Sequence, residues 1–247
     1  AMKLKKRIKG AMVYPGVIMT VAVGVITVLL VFVIPIFSKM FADFGSELPA
    51  PTKIVIATSE WLKSWIIYII IGAGVGAFLF KKWYATDGGK KIVDKNLLKL
   101  PVVGDLLRKI AVARFTRTLG TMVSSGVPIL DGLQITAKTA GNKTVEAAIM
   151  ATRVSISEGK TIAEPLQQSG VFPSMVCQMI SVGESTGALD NMLNKIADFY
   201  DDEVDAAVGA LTALMEPMMM VFLGVVIGGL VIAMYLPIFK IAGAVGG

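Results

Sequence analysis

Asp198, Asp201, Asp202, Glu203 and Asp205 crowd eight residues of a 247-residue chain. Carboxylates at that density would suit a cation. Their spacing, however, is that of a helix surface, where acidic runs are more often solvated or salt-bridged. Counter-charge is at hand. Residues 81–117 hold ten Lys/Arg against three acids, and residues 184–205 hold seven acids against Lys195 alone. These opposite poles pair with each other or meet a partner protein. The remaining inventory is poor in chemistry. No His is present, which removes imidazole bases and nearly all His-containing metal sites. The single Cys177, within Met-Val-Cys-Gln-Met, excludes an intrachain disulfide and reads as a buried cytosolic thiol. Asp87-Gly88-Gly89-Lys90 lacks the spacing and hydroxyl of a phosphate-binding loop, so the chain hydrolyses no nucleotide by itself. No Ser/Lys or paired-carboxylate arrangement stands out. The expectation is a non-enzyme without cofactor or metal.

The elements that hold these residues are set by hydropathy. Hydrophobic residues make up 55% of the chain, charged residues 17%, and the mean hydropathy is +0.72. Such a chain is too apolar for a soluble domain. Three runs are long enough to cross a bilayer, 13–37, 62–80 and 211–239. The first and last share a pattern. Pro15 precedes Pro35-Ile36-Phe37 by twenty residues, and Pro217 precedes Pro237-Ile238-Phe239 by the same interval. That points to duplication of one membrane helix. The second copy follows a long polar helical segment and the first follows only a short basic one. The expectation is therefore of about 150 further residues before Lys3, folded like 83–205.

Basic residues orient the spans. Lys3, Lys5, Lys6, Arg7 and Lys9 stand without an acid, and 81–117 is strongly basic, whereas the loop after the first span is balanced. The positive-inside rule gives a basic cytosolic stub 1–12, a periplasmic loop 38–61, a cytosolic bundle 83–210 and a periplasmic tail 240–247. The fold class is thus an all-α membrane protein: three transmembrane helices with a cytosolic helical bundle between the second and third.

Within the bundle, apolar periodicity predicts seven helices. They cover about 88–99, 105–124, 128–140, 143–158, a short one between Thr161 and Gly170, 173–182, and one from Leu189. Asn142 is a candidate N-cap, Thr161 with Glu164 a candidate capping box, and Gly141, Gly159 and Gly170 candidate stops. Gly183–Gly187 reads as a turn in which Glu184 reaches a neighbouring helix or a partner. The favoured form is a tight helix–helix turn, under which Glu184→Ala changes little. The last helix has no breaker before Pro217, so it should continue into the final span. Glu216 and Pro217 then lie at the cytosolic boundary. They form either a hinge, since Pro217 donates no hydrogen bond, or a static carboxylate at the start of the span. Gly72 with Gly76, and Gly224 with Gly228, read as small-residue faces for close helix packing.

Several motifs carry a resemblance. Phe115-Thr116-Arg117-Thr118-Leu119, Ser125-Gly126-Val127-Pro128-Ile129-Leu130, the run from Phe172-Pro173 to Gly187-x-Leu189, Glu216-Pro217 and Ala233–Phe239 together resemble the type II secretion F-protein family, in its type IV pilus branch. That resemblance implies an inner-membrane platform that is a homo-oligomer, a dimer favoured. It implies as partners the pilus assembly and retraction ATPases, pilin, other inner-membrane pilus proteins and the lipid bilayer, with no nucleic acid. Arg114, Arg117, Gly183, Glu184, Thr186, Gly187, Asp198, Asp201 and Asp202 are the expected partner-contact positions. A type II secretion platform is the alternative within the family. A transporter using Glu216 as its coupling carboxylate is a more distant one.

Overall fold

A computed structural model describes residues 2–43 and 48–245, with side chains over 10–40 and 48–239. The side chains of the basic stub at 3–9 and of the tail 240–247 lie outside the described residues. Every regular element among the described residues is a helix: α1 (Met2–Val28), a π-helical stretch (Leu29–Val33), α2 (Ile34–Asp43), α3 (Ala50–Tyr84), α4 (Asp87–Leu97), α5 (Val103–Ser124), α6 (Ile129–Thr139), α7 (Lys143–Ser157), α8 (Ala163–Gln168), α9 (Ser174–Thr186) and α10 (Leu189–Val245). Among the described residues, three stretches are long and apolar enough to cross a membrane: Gly10–Met40, Ala50–Tyr84 and Leu189–Phe239. The chain divides into two units, residues 1–8 with 80–210, and residues 9–79 with 211–247.

The apolar unit is organised by its prolines. Pro237 has no N–H, so within α10 the carbonyl four residues earlier, that of Ala233, loses its helical donor. The Thr52 hydroxyl of α3 donates to that carbonyl at 2.5 Å, and Thr52 is itself buried. The first copy of the repeat shows the same device. In the π-helical stretch the Ile34 N–H reaches back five residues to Leu29, so the donor due to Leu30 would be Pro35, which has none. The buried Ser59 hydroxyl of α3 donates to the Leu30 carbonyl instead. Thr52 and Ser59 are seven residues apart, two helical turns, and so share one face of α3.

This corrects the sequence expectation for 38–61. Read as a loop, that segment is helical to Asp43 and again from Ala50, and the helix of the second span is Ala50–Tyr84, beginning before 62. Polar residues lower its hydropathy. Two of them are the hydroxyls that the neighbouring helices require.

The other unit is a bundle. Phe115, Leu119, Leu133, Val145, Ile149, Leu166, Ile180, Leu193 and Ile196 are fully buried in one core, where the Phe115 and Phe172 rings stand 5.0 Å apart. Asn142 caps α7 as its sequence suggests, accepting from the N–H groups of Thr144 at 2.8 Å and Val145 at 3.2 Å. Helices α5 and α10 run antiparallel. Gly120 faces Leu193 and Asn194, Arg117 meets Asp198 and Asp201, and Lys109 meets Glu203. A Cβ on Gly120 would come within 3.1 Å of Asn194 Oδ1, so this glycine sets how closely the two helices approach.

The Gly183–Gly187 segment differs from its expected form. α9 continues through Gly183, Glu184 and Thr186, and only Gly187 leaves it, as a left-handed cap at φ 71°. Gly183 is buried inside the helix. Its missing side chain makes room for the start of α10, because a Cβ there would lie 3.0 Å from Leu189 Cα and 3.2 Å from Met192 Cβ. Gly183→Val should therefore force α9 and α10 apart and destabilise the bundle by about 1–3 kcal/mol. A lowered thermal midpoint of the detergent-solubilised chain checks this; an unchanged midpoint contradicts it.

Candidate functional site

The bundle surface assembles most of the residues singled out from sequence, and their geometry sorts them into two groups. The first is a charged seam between α5 and α10. Arg117 donates through one terminal nitrogen to Asp198 Oδ1 at 2.5 Å and to Asp201 Oδ2 at 2.9 Å. Two helical turns away, Lys109 Nζ donates to Glu203 Oε2 at 2.9 Å and pairs with Asp105 at 3.3 Å. Burial of Arg117 works to lower its pKa, but the hydrogen bonds it donates to the two aspartates raise it overall. For Lys109 the bond to Glu203 is the main cause of a raised pKa, against a smaller opposing cost of burial. Three members of the acidic cluster are thus paired with cations of the same bundle. Asp202 is exposed on α10.

Glu184 anchors the second group. Its carboxylate accepts from the Ile162 N–H at 2.6 Å and from the Ala163 N–H at 3.1 Å, satisfying the free amides at the start of α8. The expected Thr161–Glu164 capping box does not form: the N-cap residue is Ile162, with no side-chain cap of its own, and the missing acceptor arrives from α9. Thr186 is exposed and its hydroxyl bonds back to the Val182 carbonyl at 2.7 Å. Arg114 lies against the α6–α7 turn, 2.8 Å from where a Cβ of Gly141 would stand, with its Nε buried and unpartnered. Burial pushes the Cys177 thiol up, away from the reactive thiolate.

Glu216 and Pro217 are both exposed in α10, which runs through them as one helix. Gly72, Gly76, Gly224 and Gly228 have open space where a Cβ would be, so among the described residues none of the four is pressed against another helix.

Asp94 escaped the sequence reading. It is buried on α4, accepts from the Tyr84 hydroxyl at 3.1 Å and from the Lys143 N–H at 2.7 Å, and its carbonyl accepts from Asn142 Nδ2 at 3.2 Å. It thus ties the last residue of α3 to the start of α7. A carboxylate alone among lysines was the only signal, and it does not tell a buried acid from a solvated one.

Residues 115–237, which contain the Arg117 pairs and the Glu184 cap, match the family described as type II secretion system (T2SS), protein F. A type IV pilus assembly protein PilC from Myxococcus xanthus is 59% identical over 98% of this chain and 58% of its own length. The chain belongs to the type II secretion F-protein family. The PilC of Thermus thermophilus is 45% identical over 98% of this chain and 60% of its own length. A type II secretion system protein F from Pseudomonas aeruginosa is 32% identical over 98% of this chain and 60% of its own length. The chain therefore spans about three-fifths of these curated family members.

Removing the Glu184 carboxylate leaves two backbone donors at the start of α8 without a partner. Contrary to what a simple helix–helix turn would give, Glu184→Ala should cost about 1–3 kcal/mol of bundle stability. Glu184→Gln, which keeps one acceptor, should cost less. Equal melting of wild type and Glu184→Ala would show that the cap is dispensable.

Proposed function

We propose that this chain is the inner-membrane platform of a type IV pilus machine, passing the work of a cytosolic ATPase to the membrane helices that handle pilin. The observation that carries this reading is α10. Its first turns lie in the bundle core through Leu193 and Ile196, and the same helix runs on through the final apolar stretch. A push or rotation on one end of a continuous helix is felt at the other. The pilus reading is preferred to the secretion reading because the pilus relatives stand at 59% and 45% identity and the secretion relative at 32%.

On this reading the bundle 83–210 faces the cytosol, the tail 240–247 lies outside, and the chain performs no chemistry of its own. Pro217 supplies the bending point. Among the described residues, no side chain donates to the Ala213 carbonyl that Pro217 leaves unpaired, in contrast to the capped Ala233. With Arg117, Asp198 and Asp201 engaged inside the bundle and Glu184 capping α8, the contact surface for the ATPase falls to exposed positions such as Asp202 and Thr186.

Two experiments test the proposal. Glu216→Gln and Pro217→Ala should leave membrane insertion intact and impair pilus assembly; wild-type piliation in both removes the hinge. Purified chain in nanodiscs should bind a pilus extension ATPase in a salt-sensitive complex that Asp202→Lys weakens several-fold. Failure to bind, together with Glu216-dependent ion flux in liposomes, would instead favour the transporter.

A further inference from the structure

The surface that the pilus reading leaves unexplained is the outer side of α4 and the turn that follows it. Asp94 holds the inner side: buried, it bonds Tyr84 at the end of α3 and the backbone of Lys143 at the start of α7. The outward side is therefore fixed as well. It presents Lys91, Lys95 and Lys99, all exposed, interleaved with Ile92 at 54% and Leu100 at 48% exposure. One exposed acid, Asp87, stands at its edge, a turn before Lys91. Asp94 points inward, and Asp87 is paired with Lys143 at 3.6 Å.

The turn adds an energetic argument. Val102 has φ 67° and ψ −58°, and the Val103 N–H bonds the Pro101 carbonyl at 2.7 Å, which makes a γ-turn of the strained hand. It is the one non-glycine residue at positive φ among the described residues. A β-branched residue in that region is strained. The strained turn nevertheless holds Val102 at 58% exposure, the least favourable place for an apolar side chain in water. Topology explains lysines after a membrane helix. It does not explain Ile92, Leu100 and Val102 standing bare among them.

We propose that this face of α4 and the Leu100–Val102 turn dock on the bilayer surface beside the end of the second span, with the lysines on anionic lipid headgroups and Ile92, Leu100 and Val102 in the interfacial layer. Charge decides the occupant. A face with three cations against the single acid at its edge, and with bare aliphatic side chains, complements an anionic leaflet, and α4 begins within three residues of the end of a membrane-spanning helix at Tyr84. The inference rests on the spans and not on the pilus reading, so its failure would leave that reading untouched.

The test uses the whole chain in nanodiscs, in a Cys177→Ala background, with a fluorophore on Asn96→Cys, an exposed position on the same face. A second sample carries the fluorophore on Ser157→Cys, at the far end of α7, about 20 Å from its start. Lipids nitroxide-labelled at the headgroup act as quenchers. The label at 96 should be quenched and the label at 157 should not, with stronger quenching in phosphatidylglycerol discs than in phosphatidylcholine discs. Lys91, Lys95 and Lys99→Gln together should reduce quenching in anionic discs to the phosphatidylcholine level. In native mass spectrometry the triple variant should lose on the order of a hundredfold in phosphatidylglycerol preference. Ile92→Ser with Val102→Ser should reduce quenching in both lipids while circular dichroism shows unchanged helicity. Quenching at 96 no greater than at 157 overturns the proposal. So does lysine-dependent capture of an acidic protein without quenching, which would make this a protein-binding face.

Discussion

Inside a bilayer an unpaired carbonyl has no water to turn to, and two of the prolines in the repeated spans each create one. The carbonyls of Leu30 and Ala233, deprived of donors by Pro35 and Pro237, are met by Ser59 and Thr52 of the helix between them. This is a constraint on arrangement as much as a stabilising contact. Each hydroxyl can satisfy its carbonyl only if the three helices keep one register. The shared proline spacing that betrays a duplication in sequence is thus also the reason the middle helix carries two buried hydroxyls seven residues apart. α3 supplies the donor for both of these carbonyls.

The bundle follows a parallel logic, with acceptors and donors exchanged. Carboxylates from neighbouring helices satisfy free amides, Glu184 at the start of α8 and Asp94 at the start of α7, while Arg117 and Lys109 of α5 pair with the acids of α10. Exposed pairs of this kind add little stability individually. They do fix how α10 leaves the core, and α10 is the helix on which the proposed function depends. Tight approach at Gly120 and Gly183 places the start of that helix against α5 and α9 without slack.

Much of this was legible in the sequence, because much of it is local. Hydropathy gave the three spans, apolar periodicity the bundle helices, and Asn142 and the glycine stops their limits. The motifs around Phe115 and Phe172 pointed to the family that the relatives establish. What stayed hidden depends on contacts between distant residues. Thr52 and its acceptor are 181 residues apart, so the segment holding it read as a polar loop and not as the first third of a membrane helix. Thr161 and Glu164 matched a local capping pattern, yet the cap comes from Glu184, 22 residues from Ile162. Gly183 looked like a turn because glycine is common in turns; the side chain it lacks in fact makes room for another helix.

The most direct measurement is a double-mutant cycle between Thr52 and Pro237. If the hydroxyl is there to serve the carbonyl that the proline orphaned, Thr52→Val should destabilise the membrane unit by about 1 kcal/mol in the natural background. In a Pro237→Ala background, which restores an N–H to the helix, the same substitution should cost markedly less. Reversible unfolding of the full chain in mixed micelles reads both values. An equal cost of Thr52→Val in the two backgrounds would show that the hydroxyl and the proline act independently, and would contradict the account.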